Sequence, residues 1–340
     1  IYIMRVLNLV LHTRNLNQVK YNKEGDLLFT AAAEGIVGVW NSVTGELLGT
    51  LEGNEGTVNG MAATSDSKFM ITGSGDATLR TWSLQTGKNL QKYELGYVNS
   101  VAISPDNEYV ACAISPIMGF EGSVQIYKLN KETGEISEKP ITTLKYDPEN
   151  KEKLGFYGKL GFSYENKYLF VSTNDGSLLR FKLDELLKGE HKIDDYVKVH
   201  KEVIMDLQFS PDLTYVITAS RDRFSKIIDV ETMDLIKTYE NMYPLNTACI
   251  TPIKDFILMG GGQDAKSVTT TDSKHGGFEI KLLHKIFNNE ISEFKGHFGP
   301  VVSVAVNPQG TSFTSGGQDG TVRVWFFEPS YFDYTVDITE

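Results

Sequence analysis

An acidic residue followed six positions later by a bulky apolar residue recurs along the chain, and it limits the possible folds more than any other feature. Each bulky residue stands near the end of a run rich in strand-forming residues. The bulky positions lie 42, 45, 54, 47 and 97 residues apart, and the last gap leaves room for one further unit. Regular self-similarity of this length indicates stacked supersecondary repeats, so we expect seven units. The six pairs are Glu34/Trp40, Asp76/Trp82, Glu121/Tyr127, Asp175/Phe181, Asp222/Ile228 and Asp319/Trp325.

A second spacing adds two polar positions to four of these units. A histidine or asparagine lies 22 residues before the acid, and a hydroxyl residue lies four residues before it. We expect these side chains, the acid and the bulky aromatic residue to bond in series within one unit, because each buried polar group left unpaired costs about 1–3 kcal/mol. The last unit has the full set. The members are His12, Asn54, His200 and His297, with Thr30, Thr72, Thr218 and Ser315.

Short runs with β-branched and aromatic residues alternate with turn signals throughout the chain. Residues 100–104, 167–172 and 301–306 are examples, and turn pairs such as Pro105-Asp106 and Asp319-Gly320 bound such runs. This pattern predicts an all-β protein. Helical periodicity is nearly absent, and we expect at most one helical turn near residues 184–188.

The charge balance and the cysteines exclude several classes of protein. The chain has 340 residues, of which 33 are basic and 44 acidic, so its formal charge is −11. This excludes a basic nucleic-acid binder, and we expect no direct specific contact with nucleic acid. No apolar run approaches the about 20 residues of a membrane-spanning helix, so we expect no membrane partner and a cytoplasmic location. Cys112 and Cys249 lie in separate apolar runs and are expected to be reduced core residues.

The repeats resemble those of the WD-repeat family. The resemblance implies an all-β, seven-bladed β-propeller with four antiparallel strands per blade, in which residues 1–340 form a single domain with a short acidic-aromatic C-terminal tail. It also implies that the N-terminal strand closes the ring, with residues 5–11 pairing with 322–326. Tyr127, Phe181 and Ile228 replace the expected tryptophan, so we expect their blades to rely more on apolar packing.

Three features of the sequence suggest a catalytic triad, a phosphate-binding loop or a metal site, but each lacks an essential part of that pattern. His297, Ser315 and Asp319 contain the residue types of a catalytic triad, but this serine falls inside a predicted strand, away from any oxyanion hole. The glycines of residues 260–264 are followed by no helix, and residues 86–88 lack the upstream glycine of a P-loop. The six histidines lack ligand spacing. We therefore expect no catalytic residue, no metal and no cofactor.

Three segments are candidates for contact with partners. Ile227 and Asp229 share one side of the strand that ends blade five, and an exposed aliphatic residue beside an acid could receive a partner helix. An ordinary blade surface is the alternative. A polar insertion follows Gly262 and could bind a partner, whereas the charged insertion over residues 130–140 favours a solvated hairpin. The acidic-aromatic tail from Glu328 could dock on the propeller or on a partner.

Longer motifs are similar to those of the subunit I family of eukaryotic translation initiation factor 3. They cover residues 20–30, 244–248, 260–271, 296–301, 315–320 and 331–333. The resemblance implies a non-enzymatic scaffold in the complex that assembles the preinitiation complex on the small ribosomal subunit and supports mRNA recruitment and scanning.

The same resemblance implies two partners within initiation factor 3. One is the C-terminal helical segment of the polypeptide designated B in that factor, and the other is the polypeptide designated G; we call them the B component and the G component. Ile227 and Asp229 are the first candidates for the contact with the B component, and Asn246 and Gln263 are weaker ones.

Two other functions stay open on the sequence. One is a signalling adaptor related to the WD-repeat protein associated with serine/threonine kinase receptors. The other is a propeller hydrolase or lyase whose catalytic residues converge on the central channel, although no such constellation can be named from the sequence.

Overall fold

A computed structural model describes residues 3–117, 122–145, 157–263 and 277–335. These residues form seven four-stranded antiparallel sheets, and six of them take their strands in consecutive chain order. The first strands of neighbouring blades contact one another around a common centre. The structure is therefore a seven-bladed β-propeller, and the fold predicted from the repeats is confirmed.

The strands have the following bounds. Blades one to three contain β2 (Leu16–Tyr21), β3 (Leu27–Ala32), β4 (Val37–Asn41) and β5 (Leu47–Leu51); β6 (Val58–Ala63), β7 (Phe69–Ser74), β8 (Thr78–Ser83) and β9 (Asn89–Glu94); and β10 (Val98–Ile103), β11 (Tyr109–Ile114), β12 (Ser123–Lys128) and β13 (Thr142–Lys145). Blades four and five contain β14 (Tyr157–Phe162), β15 (Tyr168–Thr173), β16 (Ser177–Lys182) and β17 (Asp195–Lys198); and β18 (Ile204–Phe209), β19 (Tyr215–Ser220), β20 (Phe224–Asp229) and β21 (Leu235–Glu240). Blades six and seven contain β22 (Leu245–Ile250), β23 (Phe256–Gly261), β24 (Ile280–His284) and β25 (Glu290–Phe294); and β26 (Val301–Val306), β27 (Ser312–Gly317), β28 (Val322–Phe327) and β1 (Ile3–Leu9).

Helix is confined to short segments of the described chain. The helix α1 (Leu183–Leu187) follows β16, as the sequence predicts, and α2 (Pro329–Asp333) follows β28. A 3₁₀ turn spans Tyr164–Asn166. Within the described ranges, no helix has both the length and the apolar content needed to cross a membrane.

The ring closes through the N-terminal strand. β1 pairs antiparallel with β28, from Ile3 opposite Phe327 to Leu9 opposite Val322. This confirms the predicted closure. The tail then covers the seam between blades six and seven, because Tyr331 of α2 is fully buried and its ring stacks on Phe327 at a centroid distance of 3.9 Å.

The core is divided into apolar clusters that each join two adjacent blades, and together these clusters run around the whole ring. Tyr127, Phe181 and Ile228 lie fully buried in three of them. Cys112 and Cys249 are buried free thiols, which confirms that they are reduced core residues. Each blade therefore gains its stability from burying its two faces against neighbours.

The closure can be tested at two adjacent residues of opposite exposure. Leu9 is 5% exposed and packs between blades seven and one, whereas Val10 is 87% exposed. We expect Leu9→Ala to lower the free energy of unfolding by about 2–4 kcal/mol, because it leaves a cavity at the seam. Val10→Ala is expected to change it by less than about 0.5 kcal/mol. Urea denaturation checks both, and equal effects of the two substitutions would contradict the described seam.

Candidate functional site

The two ends of the ring differ in the residues that they present. We call the end at which the first strand of each blade begins the upper face, and the opposite end the lower face. Strand alternation then places the turns between second and third strands on the upper face and the hairpins between third and fourth strands on the lower face. The predicted polar networks lie toward the upper face.

In blade one, four side chains are linked in series. Trp40 Nε1 donates to Thr30 Oγ1 at 2.9 Å, and this hydroxyl lies 2.8 Å from His12 Nε2. His12 Nδ1 lies 2.6 Å from Glu34 Oε1. Because a carboxylate can only accept, Nδ1 carries the proton and Nε2 accepts from the threonine. The second strand, the third strand and two upper loops are thus tied together by one chain of hydrogen bonds.

Blade seven repeats this arrangement with a serine hydroxyl. Trp325 Nε1 donates to Ser315 Oγ at 2.8 Å, and Ser315 Oγ lies 2.7 Å from His297 Nε2. His297 Nδ1 is 3.4 Å from Asp319 Oδ1 and 3.0 Å from the hydroxyl of Thr321. Ser315 is fully buried and its oxygen is already used by two partners, so this serine has no access to a substrate.

Blade five has the same links without the indole. His200 Nε2 lies 2.8 Å from Thr218 Oγ1, and His200 Nδ1 lies 3.0 Å from Asp222 Oδ2. Ile228 occupies the tryptophan position, so no indole bonds to the Thr218 hydroxyl, which lies 3.3 Å from the carbonyl of Lys226.

Blade two contains an interrupted network. Trp82 Nε1 donates to Thr72 Oγ1 at 2.9 Å, and Thr72 donates to Asn54 Oδ1 at 3.4 Å. The Asn54 amide donates to the carbonyl of Gly35 in blade one at 3.2 Å, and Asp76 takes its hydrogen bonds from backbone and hydroxyl groups nearby. The series predicted for this blade therefore stops at asparagine, which directs its nitrogen across the blade interface.

Burial and hydrogen bonding set the protonation states of these groups. Burial lowers the pKa of His200 to about 4, although the charge of Asp222 opposes the shift. Burial alone would raise the pKa of Asp222, but hydrogen bonds from the Lys201 backbone and from His200 outweigh it and lower that pKa. The pKa of Asp319 is lowered in the same way, by hydrogen bonds from His297, Phe298 and Thr321 that outweigh burial. The blade-five pair is therefore a neutral imidazole beside a carboxylate at neutral pH.

The predicted partner site in blade five is corrected in one respect. Ile227 is 2% exposed and packs in the cluster between blades five and six, so the expectation of an exposed aliphatic side chain is wrong. Both faces of a blade are covered by neighbours, so a shared side of a strand does not imply exposure. Asp229 is half-buried at the lower face, where its Oδ1 accepts the backbone N–H groups of Glu231 and Thr232 at 2.8 and 2.9 Å. Its carboxylate therefore shapes the hairpin that it stands on.

Asn246 and Gln263 lie at the other end of the ring from Asp229. Asn246 is buried near the start of β22, and its Nδ2 donates to the carbonyl of Val301 in blade seven at 2.9 Å. Gln263 is half-buried and follows the end of β23. Both positions belong to the upper side, so the four predicted partner residues do not form one continuous surface.

Sequence reasoning missed an apolar surface on the lower side of blades five and six. Four exposed side chains form this surface, which we call the five–six rim: Leu235, Ile236, Ile286 and Phe287. The blades are tied there by hydrogen bonds from Lys237 Nζ to the Ile286 carbonyl at 2.7 Å and from the Tyr239 hydroxyl to the Lys285 carbonyl at 2.6 Å. The signal in the sequence was an apolar pair at the start of β21 and another in the next blade's hairpin.

Other predicted features have mixed outcomes. The segment 130–140 is not simply solvated, because Ile136 is buried against blade two and its N–H bonds to Gln91 Oε1 at 2.8 Å. Glu121, residues 264–276 of the blade-six insertion that follows Gly262, and the end of the tail, residues 336–340, lie outside the described residues. In the described ranges, no three metal-ligating side chains lie together.

The fold and its hydrogen-bonded blades define the class of protein, a seven-bladed WD-repeat propeller. The EIF3I family model matches residues 4–337. The chain is 43% identical to "Eukaryotic translation initiation factor 3 subunit I" of Candida glabrata over 98% of this chain and 96% of that protein. The proteins with the same description from Vanderwaltozyma polyspora and Saccharomyces cerevisiae are 42% and 40% identical over the same shares. The chain therefore belongs to the family of subunit I of eukaryotic translation initiation factor 3.

The networks predict unequal costs for one isosteric substitution in two blades. Thr30→Val removes the acceptor of Trp40 Nε1 and the partner of His12 Nε2, whereas Thr218→Val removes only the histidine's partner and a weak bond to a carbonyl. At about 1–3 kcal/mol for each stranded buried group, we expect Thr30→Val to destabilise the fold more than Thr218→Val. Urea unfolding of both variants at neutral pH measures the difference, and the reverse order would contradict the serial network.

The lowered pKa of His200 predicts a loss of stability in mild acid. The unfolded histidine binds a proton near pH 6.5 and the folded one only near pH 4, so between these values the unfolded state binds more protons and stability falls as the pH falls. The shifted pKa of His200 lowers the free energy of unfolding by about 3 kcal/mol across this range. His200→Asn, which copies Asn54 of blade two, should unfold with a shallower dependence on pH between 6.5 and 4. The free energy of unfolding is measured by urea denaturation across this range. If it depended on pH equally in the variant and the wild type, a buried neutral His200 would be ruled out.

Proposed function

We propose that the chain is a non-catalytic scaffold subunit of eukaryotic translation initiation factor 3 that acts in the cytoplasm. In this role it supports assembly of the preinitiation complex on the small ribosomal subunit, mRNA recruitment and scanning. The observation that carries the proposal is the match to the subunit I family from residue 4 to residue 337, at about 40% identity to relatives along nearly the whole chain. These relatives favour the initiation factor over the signalling adaptor.

The physical properties of the ring support a role in protein–protein contact. Each blade has only two short sheet edges, one at the channel and one at the outside of the ring, and the ring presents its loops and outer strands to several partners at once. Its formal charge of −11 opposes binding to RNA phosphates. The protein therefore reaches the ribosome through other components of the factor.

The lower side of blades five and six is the proposed docking surface for the C-terminal helical segment of the B component. Asp229 is adjacent to the five–six rim, because its N–H bonds to the Asp234 carbonyl at 3.0 Å and Leu235 pairs with Ile228. An amphipathic helix would place apolar side chains on the rim and a basic side chain beside Asp229. Ile227 supports this surface from within the core. The G component is proposed as a second partner.

The hairpin geometry provides a substitution that separates charge from structure. Asn41 and Asn130 accept the same pair of backbone N–H groups in blades one and three that Asp229 accepts in blade five. Asp229→Asn should therefore keep the hairpin and weaken binding of a peptide from the B component several-fold, whereas Asp229→Lys should weaken it about tenfold or more. Fluorescence anisotropy with a labelled peptide measures both.

Glu46→Lys in the corresponding hairpin of blade one is the matched control and should leave the affinity unchanged. If both Asp229 variants bound the peptide like the wild type, the blade-five assignment would be wrong while membership of the complex could still hold. Pull-down from cytosol of the source organism tests that membership, and recovery of neither the B component nor the G component with the wild-type chain would overturn the proposed function.

A further inference from the structure

The innermost strands are aligned around the channel by a repeated polar contact. The third residue of these strands accepts the backbone N–H of the fourth residue in the next blade at four blade junctions. The contacts are Gln18 Oε1 with Met61 N (2.8 Å), Ser100 Oγ with Leu160 N (3.3 Å), Thr247 Oγ1 with Val304 N (3.0 Å) and Ser303 Oγ with Val19 N (3.2 Å). A side chain at this position therefore normally acts as an acceptor.

Lys159 occupies this third position in blade four and cannot act as a hydrogen-bond acceptor. An ammonium group carries three donors and no acceptor, so it has nothing to offer the N–H of Leu207 in blade five. Asp206 supplies the missing acceptor, because its Oδ1 accepts the Leu207 N–H at 2.9 Å. Among the described residues, no group of the channel wall forms a hydrogen bond or an ion pair with Lys159 Nζ. Contacts between the blades therefore do not explain why a lysine stands at this position.

A second lysine, Lys20, lies at the fifth position of β2. The corresponding residues of five other blades are small: Ala62, Ala102, Gly161, Cys249 and Ala305. Burial lowers the pKa of Lys20 to about 8, the charge of Asp206 opposes that shift and the charge of Lys159 adds to it. Burial also lowers the pKa of Lys159. The three charges therefore lie in one region of the channel. Removing two cations from water there costs free energy, and no contact between the blades offsets this cost.

The one acid in this group is already engaged with the wall. Asp206 Oδ2 accepts from Gln208 Nε2 at 2.8 Å and from the Thr247 hydroxyl at 2.7 Å, in addition to the bond at Oδ1. It forms no direct ion pair with either lysine within the described chain. The region consequently keeps a net positive charge inside a protein whose formal charge is −11.

A cavity of about 370 Å³ opens beside Lys159 at the upper mouth of the channel. This volume falls in the range of small-molecule sites. Asparagines from four blades line it: Asn17, Asn59, Asn99 and Asn246. In three of them the Nδ2 donates to a carbonyl of the next blade, and each amide nitrogen carries a second hydrogen. Lys159, Arg221 and Asp206 also line the cavity, so the lining combines two cations and one carboxylate with several neutral donors.

We propose that the upper mouth of the channel binds a small phosphate-bearing compound, with Lys159 contacting the anion, Lys20 adding charge beneath it and the four asparagines supplying neutral donors. Low-dielectric walls concentrate the field of the lysines in the mouth, where an anion is attracted despite the negative surface outside. The dimensions of the cavity favour a free small molecule over a nucleic-acid chain.

The experiment is calorimetric titration of the full chain at neutral pH with tripolyphosphate and with pyrophosphate, each against sodium chloride at matched ionic strength. We expect saturable binding of one anion per chain. Lys159→Met and Lys20→Met should each weaken it about tenfold, since each removes a charge from the site. Lys159→Arg should retain binding. Lys88→Met, in an exposed hairpin on the outer edge of blade two, is the matched control and should bind like the wild type.

The absence of saturable binding to the wild-type chain would overturn the proposal, and so would equal losses from Lys159→Met and Lys88→Met. If a lysine variant fails to fold, thermal unfolding of the wild type decides the question, because a bound anion must raise its Tm above the value in matched chloride. A single-stranded RNA oligonucleotide serves as the counter-probe. Binding of that RNA as tightly as tripolyphosphate, with the same loss in Lys159→Met, would overturn the assignment to a small molecule.

Discussion

Each blade of this protein is a sheet with two apolar faces, and neither face can be buried by the blade itself. The apolar clusters are shared between neighbours, so the stability of every blade depends on the next one around the ring. In an open array the two terminal blades would each expose a face. Pairing of β1 with β28 removes that problem by making the first segment of the chain part of the last blade. The folding of the ends of the chain is therefore coupled, although they are more than 300 residues apart in sequence.

The repeat spacing predicted the architecture because it reflects local chemistry that each blade must satisfy on its own. The hydroxyl on the second strand, the indole on the third and the histidine and acid in the upper loops occur at fixed separations, since the strands have nearly constant length. Blade two shows the limit of this argument. Asn54 fits the spacing, but its nitrogen binds the carbonyl of Gly35 in the preceding blade, and a contact between blades leaves no regular interval in the sequence.

The candidate partner site was harder to predict for a geometric reason. Alternation along a strand assigns Ile227 and Asp229 to the same side, yet in a propeller both sides of a sheet are covered by adjacent blades. Exposure depends instead on the distance from the channel and on proximity to a hairpin. Ile227 lies within the stack, whereas Asp229 stands where the strand leaves it and Leu235 begins the outermost strand. The alternation of side chains along a strand gives no information about the distance of a residue from the channel.

The two ends of the ring therefore have different chemistry. The upper side holds the buried polar networks and, at the mouth of the channel, the four asparagines and Lys159. The lower side holds the hairpins and the five–six rim, where apolar groups remain exposed. Since the lining of the mouth and the rim share no side chain, a helix on the rim and an anion in the mouth would occupy separate sites. Any influence of one on the other would have to pass through the blades, whose close packing allows little independent movement.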